Sequence, residues 1–140
     1  MRLPKLIKSV LVVDDNQDLI KMISKALSKL AGWDILTAAS GLEAMAILAM
    51  KRPDLVLLDV SMPEMNGLEM VERIRRQEDS AQGFPERLPI ILITARVQQH
   101  EMIRYQKLAI TGVISKPFDP LQLPKQIQTL LSSTALPKLD

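Results

Sequence analysis

Four short apolar runs alternate with longer amphipathic segments in this chain, and each run leads into residues that can handle phosphate or metal. The runs lead into the pair Asp14-Asp15, into Asp59, into Thr94 and into Lys116. Continuous runs of aliphatic residues predict strands that are buried on both faces, as in a parallel sheet. The carboxyl ends of parallel strands meet at one edge, where open α/β folds bind ligands. We therefore expect these residues to share one cleft.

The segments between the runs have helical periodicity and recognisable ends. Ser40 and Asp119 are expected N-caps, Gly32 is an expected helix stop, and the fifth helix is expected to become regular near Pro124. A further short strand is predicted at 35–36. Helices are predicted over 18–30, from the Ser40 cap to about 50, over 97–109 and over 120–131. A loop at 61–67 is predicted to lead into a further helix that buries Leu68, Val71 and Ile74. Five strands alternating with five helices predict a three-layer, doubly wound α/β domain.

The length of 140 residues fits one domain, which we place at residues 9–132 between tails at 1–8 and 133–140. Apolar residues make up 47% of the chain but aromatic residues only 3%, so the core must be aliphatic. The chain has no cysteine, which excludes disulfides and thiolate metal sites. A second, output domain has no room in this length, so we expect a stand-alone module.

Charge and hydropathy argue against a nucleic-acid or membrane partner. The formal net charge is only +2, and the basic residues are scattered along the chain. Arg73, Arg75 and Arg76 are the densest basic group, and their helical spacing beside acidic residues predicts a solvated helix face. No apolar run is long enough for a membrane span or a signal sequence. We expect a soluble, cytoplasmic protein.

The polar strand ends favour phosphoryl chemistry with a hard cation. Three crowded carboxylates need a counter-charge, and oxygen ligands are what Mg²⁺ prefers. Asp14 and Asp15 are the expected metal-holding pair, while Asp59 can act as a nucleophile toward phosphorus. The backbone carbonyl of Ser61 can complete the metal site. Thr94 and Lys116 supply a hydroxyl and an ammonium for phosphoryl oxygens.

At these residues the chain resembles the receiver domain of two-component response regulators. The resemblance rests on an Asp-x-x-Met-Pro-x-Met-x-Gly pattern that starts at Asp59 and on a Lys-Pro-Phe pattern that starts at Lys116. The matching stretches are residues 10–15, 54–67, 93–95 and 115–118. It implies the flavodoxin-like receiver fold, with a parallel sheet in the order 2-1-3-4-5.

The resemblance also implies roles for the individual site residues. Asp59 matches the phosphoacceptor, which a sensor histidine kinase or phosphotransfer protein phosphorylates. The Mg²⁺ ligands match Asp14, Asp15, Asp59 and the Ser61 carbonyl, and the residues that contact phosphate match Thr94 and Lys116. The bond between Lys116 and Pro117 is expected to be cis. Receivers usually carry an aromatic residue three positions before the lysine; here Val113 stands there, so we expect signalling to rest more on Thr94.

Four functions share parts of this residue pattern. The leading hypothesis is a phosphorylated receiver that signals to an unknown downstream protein; its only catalysis is its own phosphoryl transfer and dephosphorylation. The alternative is a receiver-like adaptor that binds partners independently of phosphorylation, and Val113 is its main support. An aspartate-dependent phosphatase is disfavoured, because Ser61 stands where such enzymes need a second aspartate. An ATPase is disfavoured because no glycine-rich Lys-Ser/Thr loop is present.

Overall fold

A parallel β-sheet with helices on both faces makes up the computed structural model, which describes residues 6–60, 67–80, 87–95 and 99–134. In this part of the chain five strands lie in the order β2-β1-β3-β4-β5, and all neighbours are parallel. The elements in chain order are β1 (Ser9–Val13), α1 (Gln17–Ala31), β2 (Asp34–Ala38), α2 (Gly41–Met50), β3 (Leu55–Asp59), α3 (Gly67–Ser80), β4 (Ile90–Thr94), α4 (Gln99–Lys107), β5 (Gly112–Ser115) and α5 (Leu123–Thr134). The predicted doubly wound, flavodoxin-like fold and its strand order are confirmed.

Burial on both faces of the sheet explains the continuous apolar runs. Every residue of β3 and β4 is buried. Side chains alternate between the two faces, so Leu11 and Val13 of β1 enter one core cluster while Val10 and Val12 enter the other. The first cluster contains residues of α2, α3 and α4, and the second contains residues of α1 and α5. The central strands β3 and β4 are therefore covered on both faces.

Local capping chemistry sets several helix ends. Asn16 caps α1 by accepting from the backbone N–H groups of the first turn, and Gly32 ends α1 at φ 72°. Ser40 caps α2 as expected, accepting from the N–H of Glu43 at 3.1 Å. Asp119 caps a short 3₁₀ turn, Pro120–Gln122, after which α5 begins at Leu123, close to the predicted start. These ends follow from residue type alone.

Two helices bury different residues from those that their sequence pattern favours. In α1 the buried residues are Ile20, Ile23 and Leu27, whereas Leu30, at helical spacing from Ile23 and Leu27, is 53% exposed. The buried stripe ends one turn before the helix does.

In α4 the buried residue is Tyr105, while Ile103 is 57% exposed. Residues 97 and 98 of the predicted fourth helix lie outside the described residues. Burial, with the nearby charges of Glu101 and Glu72, raises the pKa of Tyr105 to about 12. The phenol therefore stays neutral at physiological pH and packs as part of the core. Val113 of β5 packs against the core cluster that contains Tyr105.

Arg75 contradicts the expectation of a solvated arginine face. Its neighbours Arg73 and Arg76 are exposed, but Arg75 is buried. Its Nε donates to the Leu108 carbonyl at 2.7 Å, and its Nη2 donates to the Ala109 carbonyl at 3.1 Å. Its Nη1 donates to the Leu88 carbonyl at 2.9 Å and to Glu78 Oε1 at 2.7 Å. One guanidinium thus joins α3 to the end of α4 and to the start of β4.

The position of Arg75 explains why a charge can be buried there. Carbonyl groups at the carboxyl end of a helix lack intrahelical partners and carry partial negative charge. The Leu108 and Ala109 carbonyls follow α4, and Ala109 has a left-handed backbone with φ 58°. Glu78, whose side chain is 7% exposed, supplies the counter-charge and also accepts from the Leu88 N–H at 2.6 Å. Every polar contact of this guanidinium is made inside the fold.

We predict that Arg75→Met lowers the free energy of unfolding by about 3 kcal/mol, because the carbonyls of Leu88, Leu108 and Ala109 lose their guanidinium donor and Glu78 loses its closest cation. Urea unfolding measures the change. The matched control is Arg76→Met, one residue along on the exposed face of α3, which should change stability by less than about 0.5 kcal/mol. Equal effects of the two substitutions would show that the buried contacts contribute little.

Candidate functional site

The expected site residues that the structure describes lie at the carboxyl edge of the sheet. Asp14 directly follows β1, Asp59 ends β3, Thr94 ends β4, and Lys116 directly follows β5. The strand register pairs Val13 with Leu58, Asp59 with Ile93, and Thr94 with Ser115. Asp14 and Asp59 are therefore level with each other, and Thr94 and Lys116 lie one and two residues further along their strands. Adjacent parallel strands are about 4.8 Å apart, so their terminal side chains face one common cleft.

Three carboxylates meet in this cleft. One oxygen from each of Asp14, Asp15 and Asp59 lies within 4.8 Å of the other two. Asp14 and Asp59 are buried, whereas Asp15 is exposed. The cluster thus extends from the interior to the surface, and a cation can reach it from solvent. At this spacing the negative charges repel one another strongly unless a cation lies among them.

Lys116 provides part of the compensating charge. Its Nζ lies 3.6 Å from Asp14 Oδ2 and 3.7 Å from Asp59 Oδ2, so it contacts both buried carboxylates. The Lys116 N–H also donates to the Thr94 carbonyl at 2.8 Å, which holds the residue against the end of β4. The Lys116–Pro117 peptide bond is cis, as the resemblance implies. A single ammonium cannot neutralise three carboxylates.

The surroundings of Asp14 disfavour the ionised form of its carboxyl group. Burial raises its pKa, and the charge of Asp59 acts in the same direction. The Asn16 N–H, which donates to Asp14 Oδ1 at 2.9 Å, and the Lys116 ammonium oppose this rise. The net direction is upward, so ionised Asp14 is held in the fold at an energetic cost that a bound cation would relieve.

Asn16 is a contributor that the sequence analysis missed. Its side chain caps α1, and its backbone N–H orients the Asp14 carboxylate. The signal was present, because Asn is among the preferred N-cap residues and stands directly after Asp15. One residue thus fixes both the start of α1 and the direction of a carboxylate in the cleft.

Gly67 brings the start of α3 against the end of the Asp59 strand. The Gly67 N–H donates to the Val60 carbonyl at 3.2 Å. A Cβ atom at Gly67 would lie 2.7 Å from the Cα of Val60, closer than real contacts allow. A side chain there would push α3 away from the residue that follows Asp59. The glycine of the predicted motif therefore has a packing role.

The remaining site residues are placed as follows. Thr94 is 3% exposed and lies on the strand next to that of Asp59. Ser61, whose carbonyl was expected to bind metal, lies outside the described residues. Val113 is half-buried in the core cluster that contains Tyr105.

The donors in the cleft fit a hard divalent cation. Mg²⁺ is bound through one or two carboxylates and keeps several waters, and this cluster offers carboxylate oxygens that are partly open to solvent. Among the described residues, none of the helices is both long and apolar enough to span a bilayer.

Comparison with solved structures supports the fold. The chain superposes on the chemotaxis response regulator CheY4 of Vibrio cholerae with a TM-score of 0.75 and 33% identity, covering 89% of this chain and 99% of that one. It superposes on a putative response regulator of Chloroflexus aurantiacus with a TM-score of 0.73 and 27% identity, covering 91% of this chain and 99% of that one.

Sequence comparison identifies the family. The probable transcriptional regulator ycf27 of Cyanophora paradoxa is 34% identical over 133 residues, which are 95% of this chain and 52% of that protein. The phosphate regulon transcriptional regulatory protein PhoB of Pseudomonas aeruginosa is 32% identical over 127 residues, which are 91% of this chain and 53% of that protein. The chain therefore spans about half the length of these relatives. Residues 10–128 match the response regulator receiver domain, and the chain belongs to that family.

Proposed function

We propose that residues 9–132 form a receiver that accepts a phosphoryl group on Asp59 in a Mg²⁺-dependent phosphorelay reaction. Receiver domains are signalling domains of two-component systems, and phosphorylation with Mg²⁺ is general to the family. The observation that carries the proposal is the cleft itself. Asp59 ends the fully buried central strand, within reach of two further carboxylates and 3.7 Å from an ammonium.

The residues of the cleft divide the chemistry of phosphoryl transfer. A carboxylate oxygen of Asp59 attacks phosphorus, forming an O–P bond while the P–N bond to a phosphohistidine donor breaks. Lys116, which contacts Asp14 and Asp59 before transfer, then pairs with an oxygen of the transferred group. Thr94 donates a hydrogen bond to another phosphoryl oxygen.

Asp14, Asp15 and Asp59 would hold the Mg²⁺ ion, with the Ser61 carbonyl as a further ligand. When bound, the ion neutralises the negative charge that the carboxylates and the phosphoryl group bring together. The Asn16 N–H keeps Asp14 directed into the site. Because Asp14 and Asp15 serve the metal alone, Asp59 can both contact the metal and react with phosphorus.

The partners of this site follow from its chemistry. Receiver domains interact with histidine kinases or phosphotransfer proteins, and we infer such a donor here. We also infer that the phosphorylated domain acts by contact with a downstream protein. On β5, Val113 stands where receivers usually carry an aromatic residue. The relatives from Cyanophora paradoxa and Pseudomonas aeruginosa are named as transcriptional regulators.

We predict that incubation with Mg²⁺ and a small phosphodonor such as phosphoramidate adds one phosphoryl group per chain, measured as intact mass. Asp59→Asn should abolish the addition, and so should removal of Mg²⁺ with EDTA. Asp34→Asn, which alters an exposed aspartate on β2, is the control and should label like the parent chain. Undiminished labelling of Asp59→Asn would refute the proposed acceptor.

Removing the Lys116 ammonium should strengthen Mg²⁺ binding, because the ammonium and the cation compete for the carboxylates of Asp14 and Asp59. We expect Lys116→Ala to lower the Kd for Mg²⁺ by about fivefold in calorimetric titration, which is about 1 kcal/mol. The same variant should accept phosphate more slowly. Lys125→Ala, on the exposed side of α5, should leave both quantities unchanged. Weaker Mg²⁺ binding by Lys116→Ala would contradict the competition.

The raised pKa of Asp14 predicts the sign of a stability change in metal-free protein. The native state binds this proton more tightly than the unfolded state, so stability falls as pH rises through the raised pKa. At pH 7 in EDTA, Asp14→Asn should therefore raise the Tm, and the gain should shrink as pH is lowered. Asparagine keeps the Oδ1 acceptor for the Asn16 N–H.

Added Mg²⁺ should reverse the order of the two proteins, because the parent chain gains stability from binding while Asp14→Asn gains less. Differential scanning fluorimetry with and without Mg²⁺ measures both effects. Asp34→Asn serves as the exposed control. A lower Tm for Asp14→Asn in EDTA would show that Asp14 is stabilised, not strained, in the metal-free fold.

A further inference from the structure

The outward side of α2 is unusually apolar for a surface helix. Leu42 is 61% exposed and Met50 is 86% exposed, and Ala46 and Ala49 between them are also exposed. These four residues, which we call the outer face of α2, recur at intervals of four, three and one, so they share one side of the helix. By contrast, α1, α3 and α4 all place several charged residues on their exposed sides.

The core does not account for this apolar face. Toward the sheet, α2 buries Gly41 and Ala44, and Ile47 and Leu48 pack against the same cluster. The outer face lies on the other side of the helix. Large apolar side chains grouped in this way on a surface mark a contact with another molecule more often than isolated ones do.

The spacing of the outer face is self-complementary. Residues 42 and 50 are equidistant from Ala46, so a twofold axis at Ala46 places Leu42 of one helix against Met50 of an antiparallel second helix. Two alanines at the crossing point allow the backbones to approach, and the larger residues pack on either side. An isologous contact requires such a match of one surface to itself.

Charge selects the antiparallel arrangement. Glu43 is the only ionisable residue within Gly41–Met50, and exposed Lys51 lies at the opposite end as the C-cap. An antiparallel pair brings the Glu43 end of each helix to the Lys51 end of the other and also opposes the two helix dipoles. A parallel pair would place Glu43 beside its own copy, which is repulsive.

We propose that the outer face of α2 binds the same face of a second copy of this chain as an antiparallel helix pair. The contact involves a helix of about 15 Å, so it buries less than the roughly 1,600 Å² of a standard interface. The dimer is therefore weak and concentration-dependent. It does not depend on the carboxylate cleft, and Asp59→Asn should dimerise like the parent chain.

Cysteine cross-linking tests the orientation directly, because the chain has no cysteine of its own. Leu42→Cys and Met50→Cys variants of different tagged mass are mixed and oxidised. The proposal predicts mixed dimers well above homodimers of either variant. Gln128→Cys, exposed on α5, gives the level of random collision. A parallel pair would give Leu42→Cys homodimers instead, and products at the collision level would overturn the proposal.

Sedimentation analysis tests the energetics without cross-links. Leu42→Lys should raise the dimer Kd by at least about tenfold, since it places a charge against the apolar Met50 side chain of the second copy. Ile103→Lys is the matched control, because Ile103 of α4 is exposed to a similar extent, 57% against 61%. A chain that stays monomeric at millimolar concentration, or a dimer that only Ile103→Lys disrupts, would contradict the α2 contact.

Discussion

Electrostatic repulsion among Asp14, Asp15 and Asp59 is the constraint on which the function of this fold depends. The sheet forces the three carboxylates together, because two-sided burial of β1 and β3 fixes where each strand ends. Lys116 relieves only part of the repulsion, and burial together with the charge of Asp59 raises the pKa of Asp14. A site held in this state favours a divalent cation and, with it, a transferable anion.

Sequence reasoning succeeded where structure follows from local chemistry. Buried parallel strands need continuous apolar runs, so the runs that end at Asp59 and Thr94 predicted both the sheet and its functional edge. Helix ends at Gly32 and Ser40 likewise follow from backbone conformation and capping within a few residues. Even the position of the cleft is local in this sense, because a strand end and a site residue coincide on each element.

Prediction from sequence failed where contacts join residues far apart in the chain. Arg75 lies in a charged helical stretch that predicts solvent exposure, but its partners Leu108 and Ala109 are 33 and 34 residues away. No periodicity within α3 contains that information. The burial of Tyr105 could not be predicted for a related reason. Its polar neighbours give α4 no clear apolar stripe, and only packing against the sheet shows which side is buried.

α3 connects the carboxylate edge of the sheet to the end of α4. At its start, Gly67 packs on Val60, the residue after Asp59; further along, Arg75 holds the two carbonyls that follow α4. Close packing at the first contact and several hydrogen bonds at the second mean that neither can shift without disturbing its partner. The helix therefore constrains both the end of β3 and the turn before β5. The buried side of α2 packs into the same core cluster as α3, and its outer face is left for association. The outward residues of α2 and α3 therefore give these two helices different roles.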